Sequence, residues 1–333
     1  MSGVDFGLIL KVQAHLMAGW SGDPLDDLGL VRLFHPDGCR PPLIWCFNGQ
    51  HEPETLAALL GPDQPLIALR SLHLVARFEA GRGRLDSEMG DYYADLLLDR
   101  LGDAACVIGG SCQGVSVATQ IARRWILAGR HCASFISMES EPLYPLPMPC
   151  TLLYGAESEQ FNPHLRGDTG AAERWRLLVA NPVQHTIPGG HGQYFQPEHN
   201  EALATAIRRA LNGPAVAPLA AHCLRLRLER PPASVAPGGR IELGLRVEAE
   251  GGSLPGGLMI GHIWRDAVSC DVQPVVGQPV DGEVCRLVLA APATPGLWEI
   301  LLFPSLPPHG PLSWQVHLDP IASLRVKATD LVM

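Results

Sequence analysis

The chain has 333 residues, 47% of them hydrophobic, with nine cysteines and a formal net charge of −9. That length suits two domains, and the hydrophobic share suits a packed globular chain rather than a disordered one. The acidic balance argues against nucleic acid, phospholipid and other polyanionic partners, and cysteines without regular spacing or a C-x-x-C pair indicate neither a disulfide framework nor a zinc site.

An odd cysteine count leaves at least one thiol free or intermolecular, which suits a reducing compartment. Residues 1–20 lack a basic stretch followed by an apolar one, and no apolar run reaches the length of a membrane span. The expectation is a soluble, cytoplasmic protein.

Phe6, Leu8, Ile9, Val12 and Leu16 share one helical face. Leu30–Phe34 reads as an outer strand, and the turn His35-Pro36-Asp37-Gly38 leads to Pro42–Phe47, an apolar strand suited to burial. A helix over Leu56–Leu60, a strand over Pro65–Leu69 and a helix over Asp86–Leu101 follow. A strand starting near Ala104 then enters Gly110-Ser111-Cys112-Gln113-Gly114, and a helix runs on through Ala118, Ile121, Ala122 and Trp125. Ala133–Met138 and Pro149–Tyr154 are further strands, residues 156–180 a polar excursion with a helix near Glu173–Leu178, and Gln184–Ile187 a last short strand. Glu201–Leu211 closes this part as an amphipathic helix. The alternation predicts an α/β fold with a mostly parallel sheet covered on both faces.

Residues 213–221 read as a small-residue linker between a catalytic domain over 1–212 and an accessory domain over 222–333. In the latter, Cys223–Leu228 and Ile241–Val247 alternate, and Met259–Trp264, Val284–Leu289, Trp298–Leu302 and Ser313–Leu318 are strand candidates. The pattern predicts a small antiparallel β-sandwich of immunoglobulin-like outline. Its His262, Asp266, His309 and His317 read as surface or turn residues rather than metal ligands.

The chemistry centres on Cys112. Two glycines let a strand and a helix meet closely at a nucleophile elbow, with the apical residue in a strained backbone conformation. Ser111 as nucleophile would need glycine at position 113, where Gln113 stands. A cysteine needs a base, and His191, in the glycine-rich turn after the last strand, is placed for it; His185 reads as structural. The acid that orients His191 is open between Glu139, after one strand, and Glu157 or Glu159, after the next, with Asp168 more remote. Backbone donors for a tetrahedral intermediate are expected from Gln113 and from the Asn48-Gly49-Gln50 loop, with Gly49 the chosen residue.

Pro41–Phe47, Gly61–Leu66, Gly109–Gly114 and Ile187–His191 together resemble the type I thioesterase domains of nonribosomal peptide and polyketide synthases over about residues 28–212. The resemblance implies an α/β-hydrolase that takes an acyl group from a carrier-protein phosphopantetheine thioester onto its nucleophile. It puts Cys112 at the nucleophile position and His191 at the base. Met138-Glu139-Ser140 matches the family's Leu-Asp-Ser segment, which favours Glu139 over Glu159 as the acid. Departures are equally visible. The family has serine at the nucleophile, His-Pro-Ala-Gly-Gly in place of Phe47–His51, a long helical lid where Ser140–Pro149 is short, and no fused β-sandwich. Stand-alone relatives with cysteine resemble aminoacyl-shuttling acyltransferases, and the chain is expected to stand closest to them.

The expected function is therefore acyl or aminoacyl transfer through a Cys112 acyl-enzyme between carrier proteins in natural-product biosynthesis. It would be carried by a Cys–His–Glu enzyme with no bound cofactor or metal beyond the partner's phosphopantetheine arm. A cysteine acyl-enzyme is itself a thioester, so exchange with another thiol is close to isoenergetic. The alternatives are hydrolysis of carrier-bound thioesters, hydrolysis of small esters, and a non-catalytic carrier-binding role. Arg123, Arg124 and Arg130 offer a candidate docking face for an acidic carrier protein.

Overall fold

The computed structural model describes residues 5–75, 82–213, 224–229, 234–249, 253–307, 309–312 and 322–326. The chain forms two compact units, one from residues 1–142, 148–171 and 182–216, the other from 143–147, 172–181 and 217–333. Most of the linker expected over 213–221, the strand expected over Ser313–Leu318 and His317 lie outside the described residues.

In the first part of the chain, α1 (Phe6–Met17) starts where Asp5 accepts a hydrogen bond from the Gly7 N–H at 2.9 Å. Strands β1 (Asp23–Pro24) and β2 (Arg32–Phe34) form an antiparallel edge. Strands β3 (Leu43–Phe47) and β4 (Leu66–Arg70), separated by α2 (Glu52–Leu60), are buried at every position, as continuous apolar runs in a two-sided sheet must be. Helix α3 (Arg82–Leu101), β5 (Cys106–Ser111), α4 (Gly114–Leu127), β6 (Cys132–Met138) and β7 (Leu146–Gly155) follow. Helix α5 (Ala171–Leu178), β8 (Val179–Ile187) and α6 (Asn200–Leu211) complete this part.

The eight strands are ordered β1-β2-β4-β3-β5-β6-β7-β8. Pairing is parallel from β4 through β3, β5 and β6 to β7. Cys112 and Glu139 therefore emerge side by side at the C-terminal ends of adjacent strands, with Ser111 opposite Met138. This is an α/β-hydrolase-type core.

Several boundaries differ from expectation, among them the start of α2, at Glu52 rather than Leu56. Helix α3 begins at Arg82 rather than Asp86, its first turn closed by an Arg82–Asp86 ion pair at 3.3 Å. Strand β7 starts at Leu146, three residues before Pro149. Strand β8 extends back to Val179, through Asn181 to Gln184, where apolar patterning is absent.

The C-terminal strands are β9 (Leu224–Glu229), β10 (Ser234–Val235), β11 (Arg240–Ala249), β12 (Met259–Asp266), β13 (Val276–Pro279), β14 (Val284–Ala290), β15 (Gly296–Ser305) and β16 (Ala322–Val326). They make a five-stranded sheet, β10-β16-β15-β12-β13, and a three-stranded sheet, β14-β11-β9. Along β11, Ile241, Leu243, Leu245 and Val247 are buried while Glu242 and Arg246 are exposed, the period-2 signature of a one-sided sheet. Those side chains join Ile260, Trp264, Ile300 and Leu302 in one core, giving a β-sandwich.

His262 is not a surface residue. It is buried in β12, and burial depresses its pKa to about 4, against a hydrogen bond with the Val276 backbone, so the ring is neutral. Asp266 accepts hydrogen bonds from the N–H groups of Val268 and Ser269 at 2.8 and 2.7 Å and closes a turn. Among the described residues, no helix is long and apolar enough to cross a membrane.

Candidate active site

The sharp turn at the end of β5 is set by two close approaches. A Cβ on Gly114 would lie 2.2 Å from the carbonyl oxygen of Cys46, and one on Gly110 would lie 2.8 Å from the carbonyl of Gly114. Only hydrogen at both positions lets α4 start directly against β3 and β5. Between them Cys112 has φ +48°, a left-handed conformation unusual for a side chain bearing Cβ. The bend is held by the Cys112 N–H donating to the Met138 carbonyl at 2.7 Å. Cys112 is half-buried at the apex, whereas Cys46, Cys106, Cys132 and Cys150 are buried. Burial pushes the thiols of Cys46 and Cys150 up; that of Cys106 rises first through its hydrogen bond with Cys132 and then through burial.

Glu139 continues β6 by one residue, also at positive φ, +58°. Its side chain is 2% exposed. The carboxylate accepts from the Gly155 N–H at 2.8 Å, from the Ser158 hydroxyl, and from His191 Nδ1 at 3.2 Å. Burial alone would raise its pKa. The bonds from His191, Ser158 and Gly155 outweigh that and hold it below the ordinary carboxylate value, helped by the nearby Tyr194 hydroxyl.

His191 lies in the turn after β8. Hydrogen bonding to Cys112 first, and to Glu139 second, raises its pKa to about 9 against the opposing effect of burial. Phe161 stacks on the imidazole with ring centroids 4.1 Å apart. Ser158 and Phe161 both come from the excursion after β7. That excursion is pinned to the histidine turn by Ala156 N–H donating to the Ile187 carbonyl at 2.8 Å and Glu157 N–H to the Gly189 carbonyl at 3.2 Å. The imidazole is thus hydrogen-bonded to a buried carboxylate and lies near the Cys112 thiol.

The backbone donors expected for a tetrahedral intermediate lie in two loops. Gln113 precedes the first turn of α4, where N–H groups have no intrahelical acceptor, and its side-chain oxygen lies 3.3 Å from His73 Nδ1. The Glu52 carboxylate accepts the Asn48 N–H at 3.0 Å, and the neighbouring Gly49 N–H helps lower its pKa. Asn48 Nδ2 donates to the Ser111 carbonyl at 2.7 Å, and its side-chain oxygen accepts from Ser71 at 2.6 Å. The loop after β3 is therefore bound to the residue preceding Cys112.

The other candidates stand elsewhere. Glu157 and Glu159 are exposed, and Asp168 accepts the Gly170 N–H at 3.0 Å within its own turn. His185 is half-buried along β8, lining a groove with Glu201 and Arg209. The three arginines do not form an open basic face. Arg123 is buried, Arg124 pairs with Asp95 at 2.6 Å and Asp91 at 3.5 Å, and Arg130 pairs with Asp103. Acidic residues of α3 and the turn after it neutralise the pair that reaches solvent.

No family model matches the chain, and no curated protein matches it. Solved structures do. The NocB thioesterase domain from the nocardicin cluster is similar at 21% identity over 55% of this chain and 99% of that one, with a TM-score of 0.44. YbtT, a type II thioesterase from the yersiniabactin NRPS/PKS biosynthetic pathway, is 14% identical over 55% of this chain and 98% of its own, with a TM-score of 0.43. SrfTE, the thioesterase domain that cyclises the lipopeptide antibiotic surfactin, is 16% identical over 58% and 98%, with a TM-score of 0.41.

These similarities correct two expectations. The matched structures are thioesterases, not cysteine-bearing aminoacyl-shuttling acyltransferases, so the placement of the chain closest to that subgroup does not stand. The enzyme class tied to it, a Cys–His–Glu acyltransferase, falls with it.

Proposed function

We propose that the chain hydrolyses acyl thioesters presented on the phosphopantetheine arm of a carrier protein, with Cys112, His191 and Glu139 at the reacting centre. The observation that carries this reading is the His191 ring, held through Nδ1 at 3.2 Å by the buried Glu139 carboxylate and close enough to Cys112 for the thiol to raise its pKa. Glu139 fixes the ring's orientation and supports its positive charge. Cys112 Sγ forms a bond to the thioester carbonyl carbon while its proton rests on His191. The tetrahedral intermediate collapses, the phosphopantetheine sulfur leaves, and it takes that proton. Water then adds to the acyl-enzyme, giving its proton to His191, and the free acid departs as Cys112 recovers its proton. Water is the acceptor we assign, because 43% of the His191 side chain is solvent-accessible. Residues 1–212 are proposed as the catalytic part and 222–333 as an accessory module that positions the carrier protein.

The test is an acyl-loaded carrier protein incubated with wild type, Cys112→Ala or His191→Ala, following free acid and emptied carrier by intact-protein mass. Wild type should release acid, and both variants should slow by about 10³-fold or more, as loss of a nucleophile or its base does. Comparable rates in either variant, or no release by wild type, would overturn the reading.

A further inference from the structure

Glu52 is the first residue of α2, a position where acidic side chains ordinarily reach solvent beside the helix N-terminus. Here the side chain turns back into the fold. Its carboxylate accepts the Asn48 N–H at 3.0 Å and lies beside Gly49, whose N–H lowers the Glu52 pKa. The fit at Gly49 is close: a Cβ there would stand 2.7 Å from Glu52 Oε1. Burial raises the Glu52 pKa. The two N–H bonds oppose that, as do the charges of Arg70 and His191, which places the carboxylate within electrostatic reach of the catalytic imidazole. The buried Arg70 guanidinium, bonded to Gln13 and the His73 carbonyl at 3.0 Å each, faces the same carboxylate from the end of β4.

Two consequences follow for the turn after β3. The Asn48 N–H is committed to Glu52, and the Gly49 N–H lies against the same carboxylate rather than toward a developing oxyanion. The next N–H, that of Gln50, has no acceptor among the described residues. Asn48 meanwhile ties the turn to Ser111, one residue before Cys112.

We propose that Glu52 is a positioning residue. By taking the Asn48 and Gly49 N–H groups it shapes the turn so that the Gln50 N–H, together with that of Gln113, meets the oxygen of the tetrahedral intermediate. This rests on the thioesterase reading above. A carboxylate suits the task because it offers two equivalent oxygens to two donors. Glutamine offers one oxygen and sets its own N–H groups against the second donor.

A double-substitution series separates positioning from simple helix capping. Gly49 has no positive φ, so Gly49→Ala perturbs mainly through its contact with Glu52. On a small soluble acyl thioester, Glu52→Ala should lower kcat roughly 10–100-fold with KM within about twofold, since an oxyanion donor acts mainly in the transition state. Glu52→Gln, isosteric and the safer folder beside Arg70, should fall between. Gly49→Ala alone should also lower kcat, yet add nothing further in the Glu52→Ala background. An unchanged kcat with a lowered melting point would make Glu52 a cap only, and fully additive losses would separate it from Gly49; either outcome overturns the proposal. Amide hydrogen exchange supplies a readout without substrate: the Gly49 N–H should exchange at least tenfold faster in both Glu52 variants. Unchanged exchange refutes the Glu52 contact itself, whereas absent turnover in wild type refutes only the thioesterase reading.

Discussion

Replacing Glu139 by glutamine is the most exacting perturbation of the site, because it keeps the shape and removes only charge and one acceptor. The native carboxylate serves three donors: Gly155 N–H at 2.8 Å, the Ser158 hydroxyl and His191 Nδ1 at 3.2 Å. If the amide oxygen stays with Gly155, the amide nitrogen faces Ser158 and His191. Ser158 can rotate its hydroxyl and accept. His191 can answer only by making Nδ1 the acceptor, which moves its proton to Nε2, the nitrogen needed to receive the Cys112 proton. A hydrogen bond to a charged group contributes about 1.5–3 kcal/mol, which at about 1.4 kcal/mol per decade lowers the acylation rate roughly 10–150-fold. The assay is single-turnover acylation by an acyl thioester, read by intact mass, alongside a titration of the His191 ring by NMR. Its pKa should fall from about 9 toward the ordinary 6.5. The exposed Glu159→Gln serves as the comparison and should stay within about twofold of wild type. A folded Glu139→Gln protein that acylates within twofold of wild type, with the His191 titration unmoved, would refute the reasoning.

Two further outcomes are expected. Gly114→Ala drives a methyl group to 2.2 Å from the Cys46 carbonyl, backbone against backbone. It should cost about 1–3 kcal/mol in chemical denaturation and remove activity by displacing the elbow. Stability should also vary with pH in a defined window. His191 titrates higher in the folded chain than its ordinary 6.5, so its stabilising contribution is complete below that value and disappears as pH rises through about 9. Glu139 titrates below its ordinary 4.5, so its contribution is present above that value and is lost as pH falls through the depressed one. The alkaline decline should be shallow, because a ring with 43% of its side chain exposed is screened by solvent. It should vanish in His191→Ala when melting is followed from pH 6 to 10.

What the sequence disclosed follows from how local each signal is. The elbow is readable because its requirement, two small residues flanking one reactive residue, is met within five consecutive positions. The parallel sheet is readable because buried strands such as Leu43–Phe47 leave uninterrupted apolar runs. Glu139 could be weighed against Glu159 only through its resemblance to a Leu-Asp-Ser segment; no pattern near it reveals that Gly155 and Ser158 will converge on it. Ser158 and Phe161 were invisible for the same reason. They lie in a polar excursion with no periodicity, and their roles come from backbone bonds to Ile187 and Gly189 across the rim. The place of Gly49 after β3 is legible in the sequence, but its packing against the Glu52 side chain three residues later is not. Arg124 and Arg130 looked like an open basic face because their partners on and after α3 lie over twenty residues earlier in the chain.

The paired bends at Cys112 and Glu139 bear on how this chain drifts under selection. Holding a residue with a Cβ in the left-handed region costs roughly 1–2 kcal/mol, and here it happens twice, at neighbouring strand ends. Glycine at either position would relieve that cost. Selection for heat resistance alone therefore pulls both positions toward the residue that abolishes the site. The Cys112 N–H bonds the carbonyl of Met138, the residue before Glu139, so the two bends are linked through that peptide. Cysteine and glutamate persist there only while something outside folding favours them.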